Sequence, residues 1–104
     1  MRLNTSTAKL NMRNEPDIEF SSVFTKQRKA APSEITEAFR EALNLYLDDP
    51  HHPTLRNHSL RGKFAGYRSI DITGDWRAIF REDHTGQKTI VKFYQLGTHK
   101  ELYG

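Results

Sequence analysis

A chain of 104 residues, 36% of them hydrophobic, with a mean hydropathy of -0.77, holds one modest core and little spare apolar surface. It contains no cysteine, which excludes disulfides, thiolate metal sites and a cysteine nucleophile, and fits a reducing cytoplasm as its place of action. No apolar run is long enough to span a membrane, and Arg2 is followed by no apolar stretch of the kind a signal peptide needs.

The net charge of +3 and pI near 9.3 are a mild basic bias. Its distribution is more informative. Glu34, Glu37, Glu41, Asp48 and Asp49 crowd one segment against Arg40 alone, whereas Arg56, Arg61, Lys63 and Arg68 follow with no acid among them. Such a split suits a protein that turns one face toward phosphate.

In chain order, residues 1–16 show no period and read as a loose arm or an edge strand, leaving 17–104 as one domain. Ile18 and Phe20 alternate with acids, as in a short strand. Ser21 or Ser22 can cap a short basic helix over residues 23–29. Pro32 breaks the chain, and Ser33 is the expected N-cap of the next helix. Ile35, Phe39, Ala42, Leu43, Tyr46 and Leu47 recur at helical spacing and form one apolar stripe, which Asp48-Asp49-Pro50 terminates. Residues 50–65 carry prolines, histidines and basic side chains without a period and read as a long loop, the kind that is often functional. Three strand-like runs follow, over 67–73, 76–82 and 88–96, separated by a tight Gly74-Asp75 turn and a second turn around Gly86. A short tail, Thr98–Gly104, closes the chain. The expected fold is α+β, in the order β-α-α-β-β-β, with two helices on one face of a small twisted sheet, mainly antiparallel, and the other face open.

The chemistry is carried by histidine, arginine, aspartate and tyrosine. His51, His52 and His58 share a loop with no carboxylate or cysteine at ligand spacing, so no metal site is expected. There is no Gly-x-Ser-x-Gly and no glycine-rich phosphate loop. Asp71 and Arg77 fall on adjacent strands, Asp75 in the turn between them, His58 before them, and His99 and Tyr103 after the last strand. Metal-free RNA cleavage needs a base for the 2′-OH, cations for the charge that builds on phosphorus and an acid for the leaving 5′-oxygen. Histidine suits the proton steps and arginine the phosphate. Taken singly, each residue also has an ordinary reading: an exposed terminal histidine, a solvated strand arginine, a turn aspartate. Trp76 reads as core before it reads as a stacking platform, and Tyr67 is open between packing across strands and stacking on a base.

From Ile18 onward the ordered pieces become specific. They are Leu47-Asp48-Asp49-Pro50, His52-Pro53, Asn57-His58-Ser59-Leu60-Arg61-Gly62, Gly66-Tyr67-Arg68, Gly74-Asp75-Trp76-Arg77-Ala78-Ile79-Phe80 and the closing Leu96-Gly97-Thr98-His99-Lys100-Glu101-Leu102-Tyr103-Gly104. Together they resemble the RelE/ParE toxin superfamily, in particular its YafQ-like branch. The resemblance implies the toxin of a type II toxin–antitoxin pair, a metal-independent and cofactor-free endoribonuclease. Such a toxin cuts mRNA in the ribosomal A site, leaves a 2′,3′-cyclic phosphate and is neutralised by a cognate antitoxin. It further implies a toxin that is monomeric apart from its antitoxin complex.

Carried over by position, the YafQ-like pattern marks His58, Asp75, His99 and Tyr103. The RelE and YoeB branches have an arginine at the position of Arg77 and a tyrosine at that of Tyr103. Where YafQ-like proteins have a further histidine on the first meander strand, this chain has Asp71. The expected roles are His99 as general acid or base, Asp75 as its partner or orienter, Arg77 as phosphate stabiliser, His58 as second proton carrier or phosphate contact, and Tyr103 as RNA positioner. Asp71 is a further candidate. Arg56, Arg61, Lys63, Arg68 and Arg81 are expected to bind RNA. Two other readings share the fold: a ParE-like toxin that inhibits DNA gyrase by binding, against which His58 and His99 weigh, and an inactive relative that retains only antitoxin binding.

Overall fold

In the computed structural model, which describes residues 15–104, the alternating segment Asp17–Phe20 is strand β1 and Ser22–Ala30 is helix α1. Most of the expected N-terminal arm lies outside the described residues. Ser21 caps α1, its hydroxyl accepting from the Phe24 amide at 3.0 Å. Helix α2 is Ser33–Asp48; Pro32 occupies the N-cap position with no side-chain cap bond, so Ser33 is the first helical residue and not the cap. Strands β2 (His58–Ser59), β3 (Arg68–Asp71), β4 (Trp76–Thr85) and β5 (Lys88–Thr98) follow, and helix α3 is His99–Tyr103.

The strands form one sheet in the order β1-β5-β4-β3-β2. β1 runs parallel to β5, and the other pairings are antiparallel. A parallel neighbour needs a crossover, which α1 and α2 begin. β1 pairs with β5 only as far as Phe93. Beyond it α1 completes the exposed edge: the Ser21 hydroxyl donates to the Tyr94 carbonyl at 2.8 Å, and the Gln27 side-chain oxygen accepts from the Leu96 amide at 2.7 Å. Backbone groups that would otherwise be orphaned beneath a helix are thereby satisfied.

The apolar stripe of α2 faces the sheet through Ile35, Phe39, Ala42 and Tyr46, all buried. With Phe24 of α1 they meet Ile70, Ala78, Phe80, Val91, Phe93 and Leu96. Phe39 lies at the centre of this layer, its ring 5.0 Å from that of Phe24 and 5.1 Å from that of Phe93. Leu47 lies at the edge of the stripe and is exposed. Tyr46 reaches across to β4 and donates its hydroxyl to Glu82. Burial, with the Glu82 carboxylate beside it, pushes the phenol well above the usual tyrosine range.

Four features differ from the expectation. The tail is a helix, because Thr98 and Glu101 form a reciprocal capping box. The loop over 50–65 contains two short 3-10 turns, Pro53–Leu55 and Gly62–Phe64, and the extra strand β2, so the sheet has five strands. β4 and β5 extend toward each other until the hairpin turn shrinks to Gly86-Gln87, with Gly86 at a φ of +60°. Finally, Ile79 is fully buried on the face away from α1 and α2, so that face is partly covered rather than open.

Phe39→Ala removes the centre of the layer and is expected to lower unfolding free energy by about 3–5 kcal/mol, measured by urea titration. Tyr46→Phe is expected to cost about 1.5–3 kcal/mol near pH 7, the scale of a hydrogen bond to a charged group. The folded-state phenol titrates above the unfolded one, so its contribution is complete below pH ~10 and is lost as pH rises beyond that. The stability gap between wild type and Tyr46→Phe should therefore narrow above pH ~10.

Candidate active site on the outer face of the sheet

Strand alternation decides which side chains share the face opposite α1 and α2. Ile70 and Ala78 point into the core, so their neighbours Ser69, Asp71, Arg77 and Ile79 point outward. Cross-strand register then builds two rows. One joins Asp71, Arg77 and Gly97; the other joins His58, Ser69, Ile79 and Gln95.

The first row is held by charge. Asp71 Oδ1 lies 3.0 Å from Arg77 Nε, and its Oδ2 lies 3.5 Å from Arg56 Nε. Both members of the Asp71–Arg77 pair are largely shielded, with side chains 16% and 14% exposed, so the pair is less screened than a surface contact. Arg77 Nη1 also donates to the carbonyls of Thr73, Gly74 and Trp76 at 3.1–3.2 Å. The guanidinium is thus pinned to the β3–β4 turn on one edge and to Asp71 on another. Nη2 makes no hydrogen bond among the described residues and is the edge left for a ligand. With both carboxylate oxygens engaged, Asp71 is placed to orient two arginines rather than to accept a proton.

The β3–β4 turn also brings Asp75 to α3. Thr73 shapes the turn, its hydroxyl accepting from the amides of Asp75 and Trp76 at 3.3 and 3.1 Å. The Asp75 carbonyl then accepts the His99 amide at 2.9 Å, which sets the two residues side by side. The His99 ring is exposed and packs against Tyr103 one turn later, with centroids 4.8 Å apart. The Tyr103 hydroxyl is buried without a partner among the described residues. Gly97, opposite Arg77, leaves room for α3: a Cβ there would lie 3.1 Å from a Glu101 carboxylate oxygen and 3.3 Å from Leu102.

His58 joins the group from β2. Its Nδ1 lies 2.7 Å from the carbonyl of Arg56, an acceptor, so Nδ1 carries the proton and Nε2 is the free basic nitrogen of the neutral ring. Arg56 is the one non-glycine residue among those described with positive φ, at 47°, and this kink turns its carbonyl toward His58. Asp71, Arg56 and His58 are therefore linked in a chain.

The expected RNA-contacting residues divide. Arg56, Arg61, Lys63 and Arg81 are exposed. Lys63 and Arg81 lie over the rings of Phe64 and Tyr67. Asp83 beside Arg81 raises the guanidinium pKa further above its ordinary value. Arg68 does not join them. It alternates with Ser69, so it lies on the helix-bearing face, where its Nε donates to Asn57 at 2.8 Å and helps close the loop. Trp76 packs against the core, as expected. His51 and His52 stay outside the site; the His52 ring accepts from the Thr54 amide and caps a 3-10 turn. Among the described residues no three His, Asp or Glu side chains are grouped to hold a metal ion, and no helix is long and apolar enough to cross a membrane.

Sequence reasoning missed Thr73, Phe64 and Tyr94. Thr73 acts through its hydroxyl in a turn whose geometry the sequence does not specify. Tyr94 becomes a neighbour of the site only through sheet register, and Phe64 only through the packing of its 3-10 turn on Tyr67 and Tyr103.

The chain is similar to several known proteins in sequence and in fold. The mRNA interferase toxin YafQ of Escherichia coli K12 is 26% identical over 92 residues, which is 85% of this chain and 96% of that protein. The crystal structure of YafQ from E. coli BL21(DE3) superposes with a TM-score of 0.70 at 26% identity, covering 86% of this chain and all of the other. YafQ in the E. coli DinJ-YafQ toxin-antitoxin complex matches at 0.68 and 26%, over 86% of this chain and 99% of the other. The YoeB/ParE toxin from Agrobacterium tumefaciens shares the fold, with a TM-score of 0.67 at 17% identity, over 80% of this chain and 98% of that one. A family model described as "Bacterial toxin of type II toxin-antitoxin system, YafQ" matches residues 16–104, nearly the whole chain. The protein therefore belongs to the YafQ family of type II toxin–antitoxin system toxins.

Proposed function

We propose that this protein is an endoribonuclease that cleaves mRNA by 2′-OH attack, using side chains alone, and that a cognate antitoxin holds it inactive. The observation that carries the reading is the convergence of His99, Asp75 and the pinned Arg77 where the β3–β4 turn meets α3. The similarity to E. coli YafQ, and to its complex with DinJ, supports both the activity and the antitoxin partner. The exposed basic residues of the outer face suit translated mRNA in the ribosomal A site of the cytoplasm and an antitoxin that competes for the same surface.

In the proposed reaction a base removes the proton of the 2′-OH. The 2′-oxygen bonds to the adjacent phosphorus, and the bond from phosphorus to the 5′-oxygen breaks. An acid protonates that oxygen, leaving a 2′,3′-cyclic phosphate and a 5′-OH end. Arg77, fixed in advance on two edges, offers its remaining edge to the phosphorane as charge accumulates, so little reorganisation is needed during the reaction. His99 serves one proton step, with Asp75 beside it as partner. His58, with Nε2 free, serves the other or holds the phosphate. Tyr103 fixes the His99 ring on one side and positions RNA. Asp71 acts through Arg77.

Induced expression in bacteria with mapping of mRNA 5′ ends tests the reading. Wild type should arrest growth and cut translated messages. His99→Ala should cut about 10²–10⁴-fold more slowly, the usual range for loss of a proton-transfer group, and melt at the wild-type temperature because the ring is exposed. Growth arrest with messages left whole would instead make the protein an inhibitor that acts by binding.

Arg77→Lys should lose roughly 10²-fold, because an ammonium cannot hold Asp71, the turn carbonyls and a phosphate together. Asp71→Asn should lose less, about tenfold, which is ~1.4 kcal/mol of barrier. A fully active Asp71→Asn would remove the aspartate from any positioning role.

A further inference from the structure

The β4–β5 ladder slips by one residue at Ile79/Phe80. Ile79 pairs with Gln95, and Phe80 pairs with Phe93, so Tyr94 is the extra residue on β5. Phe93 and Leu96 both point into the core, which leaves Tyr94 and Gln95 side by side on the outer face. A bulge of this kind re-aims side chains, and bulges are concentrated next to active sites. α1 fixes it on both sides, through the Ser21 hydroxyl bond to the Tyr94 carbonyl and the Gln27 bond to the Leu96 amide.

The re-aimed pair opens onto a cavity of about 240 Å³, with Phe64, Tyr67 and Tyr94 in its wall, Ile79 at its floor and Gln95 at its side. The rings meet at right angles: Tyr67 and Tyr94 are 4.9 Å apart at 90°, and Phe64 lies 6.4 Å from Tyr67 at 80°. Each ring carries a cation, with Lys63 over Phe64, Arg81 over Tyr67 and Lys92 over Tyr94, 5.2–5.9 Å from the centroids. No carboxylate lines the cavity. The Gln95 amide, which offers both a donor and an acceptor, makes no side-chain hydrogen bond among the described residues. The ring cluster continues to Tyr103 through Phe64, 6.0 Å away at 88°. Next to Ile79 on β3, the Ser69 hydroxyl is fully buried without a partner among the described residues.

We propose that this cavity is a nucleobase subsite, which takes the base of the nucleotide next to the cleavage point while Lys63, Arg81 and Lys92 hold the flanking phosphates. The proposal rests on the ribonuclease reading above. Covering Ile79 would need only apolar bulk. Three rings, three cations, a lining free of carboxylates and an unengaged amide match a planar, hydrogen-bonding group on a polyanion, the chemistry of single-stranded RNA; Asp83, which pairs with Arg81, lies outside that lining. The position fits as well. Ile79 lies two residues along β4 from Arg77, ~7 Å at the rise of a strand, so a chain whose phosphate sits on Arg77 brings its neighbouring base over the cavity.

The test is binding of the full chain to a 2′-O-methyl RNA oligonucleotide, which has no free 2′-OH to attack, followed by fluorescence anisotropy. Each position in turn is made abasic. Wild type should lose affinity on the order of tenfold at one position next to the cut site, the scale of one stacked base. Tyr94→Leu, which keeps Ile79 covered, should lose the same tenfold on intact RNA and nothing further on that abasic RNA, while Tyr94→Phe should match wild type. If the two losses multiply, or Tyr94→Leu binds as wild type does, the subsite is overturned. If Tyr94→Leu keeps its RNA affinity but releases co-purified antitoxin, the cavity is a peptide site and the proposal is again overturned. A chain that shows the base-dependent binding yet leaves translated messages whole when induced in bacteria would sink the nuclease reading alone and leave the subsite standing.

Discussion

The pairing of β4 with β5 is the constraint on which the rest of the molecule depends. It runs from Trp76–Thr98 at one end to Thr85–Lys88 at the other, closed by a turn of only two residues. β5 then takes β1 on its far edge, and β4 takes β3. Because ladder hydrogen bonds set side-chain direction residue by residue, this one pairing decides that Phe80, Val91, Phe93 and Leu96 meet the helices. The same register sends Arg77, Ile79 and Gln95 to the opposite face. Core and site are two readouts of one ladder.

Charge and capping refine what the ladder lays out. The β3–β4 turn could hold Arg77 in several rotamers, but Asp71 and the turn carbonyls together leave it one. α3 is only five residues long, too short to be stable alone, and exists because its N-terminus is capped by Thr98, its first amide is taken by Asp75 and Leu102 is buried. The His99 ring inherits its position from the cap, that hydrogen bond and the burial of Leu102. Precision at an exposed histidine is thus obtained from buried neighbours, which leaves the ring itself accessible.

Much of this was legible in the sequence, and the legible parts share a cause. The α2 stripe, the three meander strands and the facing of Asp71 and Arg77 all follow from local period and from a short turn between neighbours. The helix at the end was legible too, since Thr98 and Glu101 stand at capping-box spacing, but five residues between a strand and the terminus read more readily as a tail. Alternation puts Arg68 on the same face as Ile70, although the basic residues around it suggest a place beside phosphate. The two-residue strand β2, the parallel seat of β1 and the slip at Tyr94 were not legible. Each is settled by pairing with another strand and not by local period, and none leaves a local mark.

The slip at Tyr94 also works as a switch of parity. Upstream of it on β5, odd-numbered Val91 and Phe93 face the core; downstream, even-numbered Leu96 does. The extra residue is what makes the two runs compatible: with all residues kept and the bulge straightened, Gln95 and Gly97 would come under the helices and Leu96 would go out to water. Losing one residue at the slip itself would leave a regular ladder of the same parity, with Leu96 still inward and Gly97 still opposite Arg77. A residue gained or lost beyond it, between Leu96 and Thr98, has no such outlet and would shift the chain by one position at His99. The frame of β5 therefore couples the packing of the interior to the aim of that histidine.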